Sequence, residues 1–119
     1  MRVLVTGGRD LSLEDSRRLI HALDVLHQAD NPVTRIIEGG SRGADSVARG
    51  WARRNSVPCT SLYADWGRYK KAAGPIRNEK MLFDEHPDIV IAAPGNTGTL
   101  DCVRGAKALR IPILLLPEE

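Results

Sequence analysis

TRIIEGGSRGADSVARGWA, residues 34–52, reads as a strand, a glycine turn and a helix in direct succession. Thr34 to Glu38 is a short β-branched, apolar run closed by glycines, which predicts a buried strand. Beyond it Ala44, Val47, Ala48, Trp51 and Ala52 keep the i, i+3, i+4, i+7, i+8 spacing of an amphipathic helix. Trp51 is on the apolar side and is expected in the core. The rest of the chain alternates in the same way. Upstream, Arg2 to Thr6 predicts a first strand buried on both faces. Ser12 and Asp15 stand at capping-box spacing, and Leu19, Ile20, Leu23 and Leu26 share one face, so a helix is expected from about Leu13 to Ala29. Asn31-Pro32 ends it. Downstream, Pro58 to Tyr63 predicts a third strand, and Ala64 to Gly74, aperiodic, reads as an exposed loop. Pro75 suits the first turn of a helix reaching about Glu85. Ile89 to Ala93, Thr99 to Leu109 and Ile111 to Leu116 then give strand, helix and strand.

Strands alternating with helices imply a parallel sheet covered on both faces. With 119 residues there is room for one core only. The expected architecture is a single α/β, Rossmann-like, three-layer domain over 1–119, its five parallel strands in the order 3-2-1-4-5. Ligands of such sheets bind beyond the carboxyl ends of the strands where the order reverses, here between the first and fourth strands.

Composition narrows the function. A net charge of +2 is too weak for a nucleic-acid footprint and argues against a nucleic-acid partner. No apolar run approaches the roughly 20 residues of a membrane span, and the N-terminus lacks a secretory pattern, so a cytoplasmic protein without a membrane partner is expected. Cys59 and Cys102 are read as small core residues and His21, His27 and His86 as solvated ones. No metal and no cofactor are expected.

The informative feature is where the glycines fall. Thr6-Gly7-Gly8-Arg9-Asp10 follows the first strand, Gly39-Gly40-Ser41-Arg42-Gly43-Ala44-Asp45 the second, and Pro94-Gly95-Asn96-Thr97-Gly98-Thr99 the fourth. With Gly74, eight of the eleven glycines map to one predicted edge of the sheet, where ligands can approach backbone N–H groups and helix N-termini favour anions. Arg9, Arg42 and Arg77 bring guanidinium groups there, each able to give a phosphate charge-assisted bonds of about 1.5 to 3 kcal/mol. The same residues also have plainer uses. Arg9-Asp10 can be a surface pair, Arg42 and Asp45 a pair at i, i+3 spacing, Asp45 a helix cap or a ribose ligand, and Trp66 and Tyr69 anchors of their loop or covers for a base. The GxGxxG fingerprint, the Walker lysine and the GxSxG elbow are absent.

MRVLVTGGRD, EGGSRGADSVARGWA, ADWGRYKKAAGPIRNEKM and PDIVIAAPGNTGTLDCVRGAK together resemble the small DUF2493 proteins, the YspA or cpYpsA-related branch of the SLOG superfamily, over nearly the whole chain. The resemblance implies a Rossmannoid nucleotide-binding domain of bacterial or phage origin, with kinship to LOG phosphoribohydrolases and to DprA. That kinship points to a homodimer. By position, Pro94, Gly95, Gly98 and Thr99 match the LOG PGGxGTxxE motif, Asn96 replaces a glycine, and the motif's glutamate falls on Cys102, next to Asp101. Arg77, followed by Asn78, is placed like the LOG catalytic arginine. The resemblance therefore implies binding of a nucleoside phosphate or an ADP-ribose-like ligand. The alternative it carries is N-glycosidic hydrolysis of a nucleotide, with Arg77 and Asp101 as the catalytic pair. A third reading, through DprA, is a single-strand DNA module using Trp66, Tyr69, Lys70 and Lys71, which the five aromatics and weak net charge oppose.

Overall fold

Val3 and Val5 pack into the core on one face of the sheet and Leu4 into the core on the other, all three without solvent exposure, so the first strand is the centre of the molecule. The computed structural model describes residues 1–117; Glu118 and Glu119, the end of the expected domain, lie outside the described residues. Along the chain run β1 (Arg2–Thr6), α1 (Leu13–Gln28), β2 (Arg35–Glu38), α2 (Ala44–Arg54) and β3 (Cys59–Ser61). These are followed by α3 (Trp66–Tyr69), a 3-10 turn (Lys70–Ala72), α4 (Ala73–Phe83), β4 (Ile89–Ala92), α5 (Thr97–Ala108) and β5 (Ile113–Leu115). All strand pairs are parallel and the order is β3-β2-β1-β4-β5, with Leu4 opposite Ile37 on one side and Val90 on the other.

The two crossover pairs take opposite faces. Leu19 and Leu23 of α1 and Ala48, Trp51 and Ala52 of α2 cover Val3, Val5, Ile36 and Ile91, whereas Met81 and Leu82 of α4 and Cys102 and Ala106 of α5 cover Leu4, Ile37 and Val90. Ser12 caps α1 by accepting the Asp15 N–H at 3.0 Å. The buried Trp51 indole donates to Asp24 at 2.8 Å, so α1 and α2 are joined by a polar bond as well as by packing.

Several boundaries differ from the sequence expectation. The segment expected as a loop after β3 is helical from Trp66: Asp65 caps it by accepting the Arg68 N–H at 3.1 Å, the 3-10 turn follows, and α4 begins at Ala73 with Gly74 and Pro75 in its first turn. α5 begins two residues before the expected Thr99. β3 and β5 are three-residue edge strands, shorter than the apolar runs that contain them. His27, expected in solvent, is half-buried with its ring edge-on to Trp51. Cys102 is core, but Cys59 is half-buried and its Sγ donates to Glu38 at 3.5 Å. Burial pushes the two thiols up to about 12 and about 11, so neither is a thiolate at neutral pH.

Candidate functional site

A cleft of about 480 Å³ opens at the carboxyl ends of β1, β2 and β4. Gly7 and Arg9 reach it from the first loop, Gly39, Ser41 and Asp45 from the second, and Asn96, Thr97, Gly98 and Thr99 from the third. Arg77 and Asn78 of α4 and Asp101 of α5 complete the set brought together from the sequence expectation. Arg42 is not among the lining residues: it is exposed and pairs with Asp10 at 3.1 Å. Gly8, Gly40, Gly43, Pro94 and Gly95 also stand outside the lining.

Those glycines have another use. Gly8 donates its N–H to Pro94 O at 2.8 Å and accepts the Ala44 N–H at 3.1 Å, so one residue ties the first loop to both others. A Cβ on Gly43, where φ is +77°, would run into the Gly8 carbonyl oxygen and lie 2.7 Å from Arg9 Cα; one on Gly95 would meet Thr99 Oγ1 and the Gly8 nitrogen. The glycine clustering read as access for a ligand is thus largely close packing of loop on loop, and of the glycines in these three loops only Gly98 faces open space.

Hydrogen bonding moves the candidate anion position as well. In the second loop the Gly40 N–H goes to Glu38 at 2.6 Å, the Ser41 N–H to Asp45 at 3.2 Å and the Ala44 N–H to Gly8, so these donors are already engaged. At the start of α5 no side chain among the described residues caps the helix, and Thr97, Gly98 and Thr99, its first turn, line the cleft. Free N–H groups and the positive end of the helix dipole therefore face the cavity from the third loop.

Two side chains organise the α4 wall. Arg77 Nη1 donates to Gly39 O at 2.7 Å and its Nε to Asn78 Oδ1 at 2.9 Å. Asn78, 3% exposed, donates in turn to Gly98 O at 3.2 Å and to Asp101 at 2.9 Å. Guanidinium, amide and carboxylate form one chain across the cleft from the second loop to the third. The sequence reading assigned Lys71 only to the single-strand module and missed Arg104 as a lining residue; Arg104 carried a signal, since it follows Asp101 at i, i+3 on α5. Arg9, Lys71, Arg77 and Arg104 face Asp45 and Asp101, four cations against two acids. Among the described residues no three His, Cys, Asp or Glu side chains gather to hold a metal, and no helix is long and apolar enough to cross a membrane.

The family model for YspA, the cpYpsA-related SLOG family, matches residues 1–69, which hold β1 through α3 and two of the three cleft loops. The Gene 61 protein of Mycobacterium phage D29 is 36% identical over 121 residues, spanning 95% of this chain and 94% of its own. The chain belongs to the YspA, cpYpsA-related SLOG family. The phage relative agrees with a bacterial or phage setting for this SLOG protein. Its fold is shared with the DNA processing protein A (DprA) of Streptococcus pneumoniae at a TM-score of 0.79 and 18% identity. That likeness covers 99% of this chain and only 50% of DprA, so the SLOG chain spans half the length of that protein. A molybdenum cofactor binding protein from Rippkaea orientalis aligns at a TM-score of 0.75 and 18% identity, over 99% of this chain and 77% of its own.

In this SLOG domain Asp45 has unusual electrostatics. Burial raises its carboxyl from 3.8 to about 6, aided by Glu38 and opposed by the Ser41 N–H and the nearby Arg77 guanidinium. Between about pH 4 and 6 the unfolded chain loses this proton while the folded chain keeps it, so stability falls as pH rises through that window. The penalty levels off above it at about 3 kcal/mol. Asp45→Asn is expected to be more stable than the parent at pH 7, by up to about 3 kcal/mol, with the advantage shrinking towards zero near pH 4. Urea unfolding of both proteins across that range measures it, and a pH-independent difference would contradict the assignment.

Proposed function

We propose that this chain binds a nucleotide or nucleotide derivative, a nucleoside phosphate or an ADP-ribose-like molecule, in the cleft at the carboxyl edge of the sheet. The observation that carries this reading is the meeting, in one cavity, of four cationic side chains with the uncapped first turn of α5. A phosphate suits that combination: N–H donors converge from the helix while Arg9 and Arg77 supply guanidinium bonds. Arg77 is held by Gly39 O and Asn78, so little side-chain freedom is lost when an anion docks on it. Asp45 and Asp101 offer acceptors for ribose hydroxyls, and Trp66, half-exposed on the lining, gives a base an apolar surface.

Thermal unfolding with AMP, ADP-ribose, NAD and cyclic nucleotides tests the reading. At about a hundred times Kd a true ligand adds about 2.7 kcal/mol, a shift of roughly 10 °C for a domain of this size. Arg9 makes no hydrogen bond or ion pair among the described residues, so Arg9→Ala is expected to keep the fold and weaken the ligand roughly ten- to a hundredfold. No shift with any nucleotide would end the proposal.

A second reading, cleavage of the N-glycosidic bond of the bound nucleotide, is favoured by Asp45. Its buried carboxyl, proton-bearing up to about pH 6, shares the cleft with Arg77 and Asp101 and matches what general acid catalysis asks for. Chromatographic detection of free base after incubation, absent in Asp45→Asn, distinguishes this from binding alone.

A further inference from the structure

Arg77 borders a second recess, of about 210 Å³, that takes no part in the cleft just described. Tyr63, Tyr69 and Ile76 wall it, and Asp65 and Lys80 place a carboxylate and an ammonium on its lining. Tyr63 is unusual. The residue is 72% exposed, yet its ring is laid against the backbone at Gly40, where any Cβ would collide with it. The glycine thus gives an aromatic side chain a fixed seat beside the loop to which Arg77 is bound. Arg77 itself is half committed: Nε and Nη1 are taken by Asn78 and Gly39, while Nη2 makes no hydrogen bond among the described residues. Arg77, anchored through Nε and Nη1, therefore lines both cavities.

We propose that the recess takes the second ring of a dinucleotide, two nucleosides joined through their phosphates, with the phosphates at Arg77 and the first nucleoside in the cleft. This rests on the reading of the cleft as a nucleotide site. The chemistry of the recess selects a flat ring with a polar edge. Two tyrosines and aliphatic side chains meet its faces, and Lys80 and Asp65 supply a donor and an acceptor for its rim. Joining the two rings through a phosphate at Arg77 makes the second contact intramolecular, so the linked ligand gains over either half.

Calorimetric titration with AMP, GMP, UMP and CMP, and with the matching symmetrical dinucleoside diphosphates, tests this on the parent, Tyr63→Ala and Tyr63→Phe. The exposure of Tyr63 leaves the fold of both variants intact. The dinucleotide of the preferred base is expected to bind at least tenfold tighter than its mononucleotide. Tyr63→Ala should remove that advantage without changing the mononucleotide, and Tyr63→Phe should restore it. Equal affinities for the two ligands in the parent, with Tyr63→Ala silent, would overturn the recess and leave the cleft reading standing. Binding of no nucleotide would overturn both. Tighter binding of a ten-residue oligothymidylate than of any dinucleotide, lost in Tyr63→Ala, would replace the proposal by a track for single strands.

Discussion

Glu38→Ala is expected to lower the unfolding free energy by about 3 kcal/mol, the lower end of what removing one partner from a buried ion pair costs. Glu38 is 0% exposed at the end of β2 and accepts from the Gly40 N–H, Arg49 Nη1 at 3.0 Å, Ser61 Oγ and Cys59 Sγ. Truncation leaves those donors without their acceptor at the junction of β2, β3 and α2. Arg49 is about one-third exposed and recovers some hydration, which keeps the loss from the top of the range. Glu38→Gln preserves the shape and one acceptor and should lose roughly half as much. The midpoint of urea unfolding reports both, and a Glu38→Ala protein within 0.5 kcal/mol of the parent would show that the cluster contributes nothing.

Gly43→Ala is the second large effect, also about 3 kcal/mol, or roughly 10 to 15 °C in Tm. Two causes add. A φ of +77° costs an L side chain about 1 to 2 kcal/mol, and the new methyl would overlap the Gly8 carbonyl and Arg9, an overpacking of about 1 to 3 kcal/mol. Relief requires the first and second loops to part, which breaks the Ala44 N–H to Gly8 O bond and displaces Arg9 from the cleft. Nucleotide-induced thermal shifts should therefore fall together with stability. Gly98→Ala, at a position facing open space in the first turn of α5, should leave stability nearly unchanged. If both alanines behave alike, the close packing assigned to Gly43 is not what limits it.

These two residues show where the sequence was readable and where it was not. The sheet order followed from strands that are apolar on both faces and helices that are apolar on one, because burial leaves that period in the residue types. Arg2–Thr6 and α2 are the clearest cases. Glu38 left no such trace: an acid before two glycines looks like any charge flanking a turn, and its burial depends on Ser61 and Cys59 arriving from the next strand. α3 and the 3-10 turn were invisible because segments of four and three residues that bury nothing have no period to detect. Arg42 and Arg77 stand in equally suggestive positions in the sequence, but position along a loop does not say which way a side chain leaves it. Arg42 turned to Asp10 and Arg77 to the cleft.

The contacts of Gly8 also bear on how the cleft keeps its shape. A single residue latches three loop mouths together, so a bulkier residue or an insertion in any of them disturbs the other two at once. The stretch from Tyr63 to Lys80 differs from this stiff frame: its exposed Tyr63, Lys71 and Lys80 make no hydrogen bond to Gly8, so a substitution at any of them leaves the latch in place.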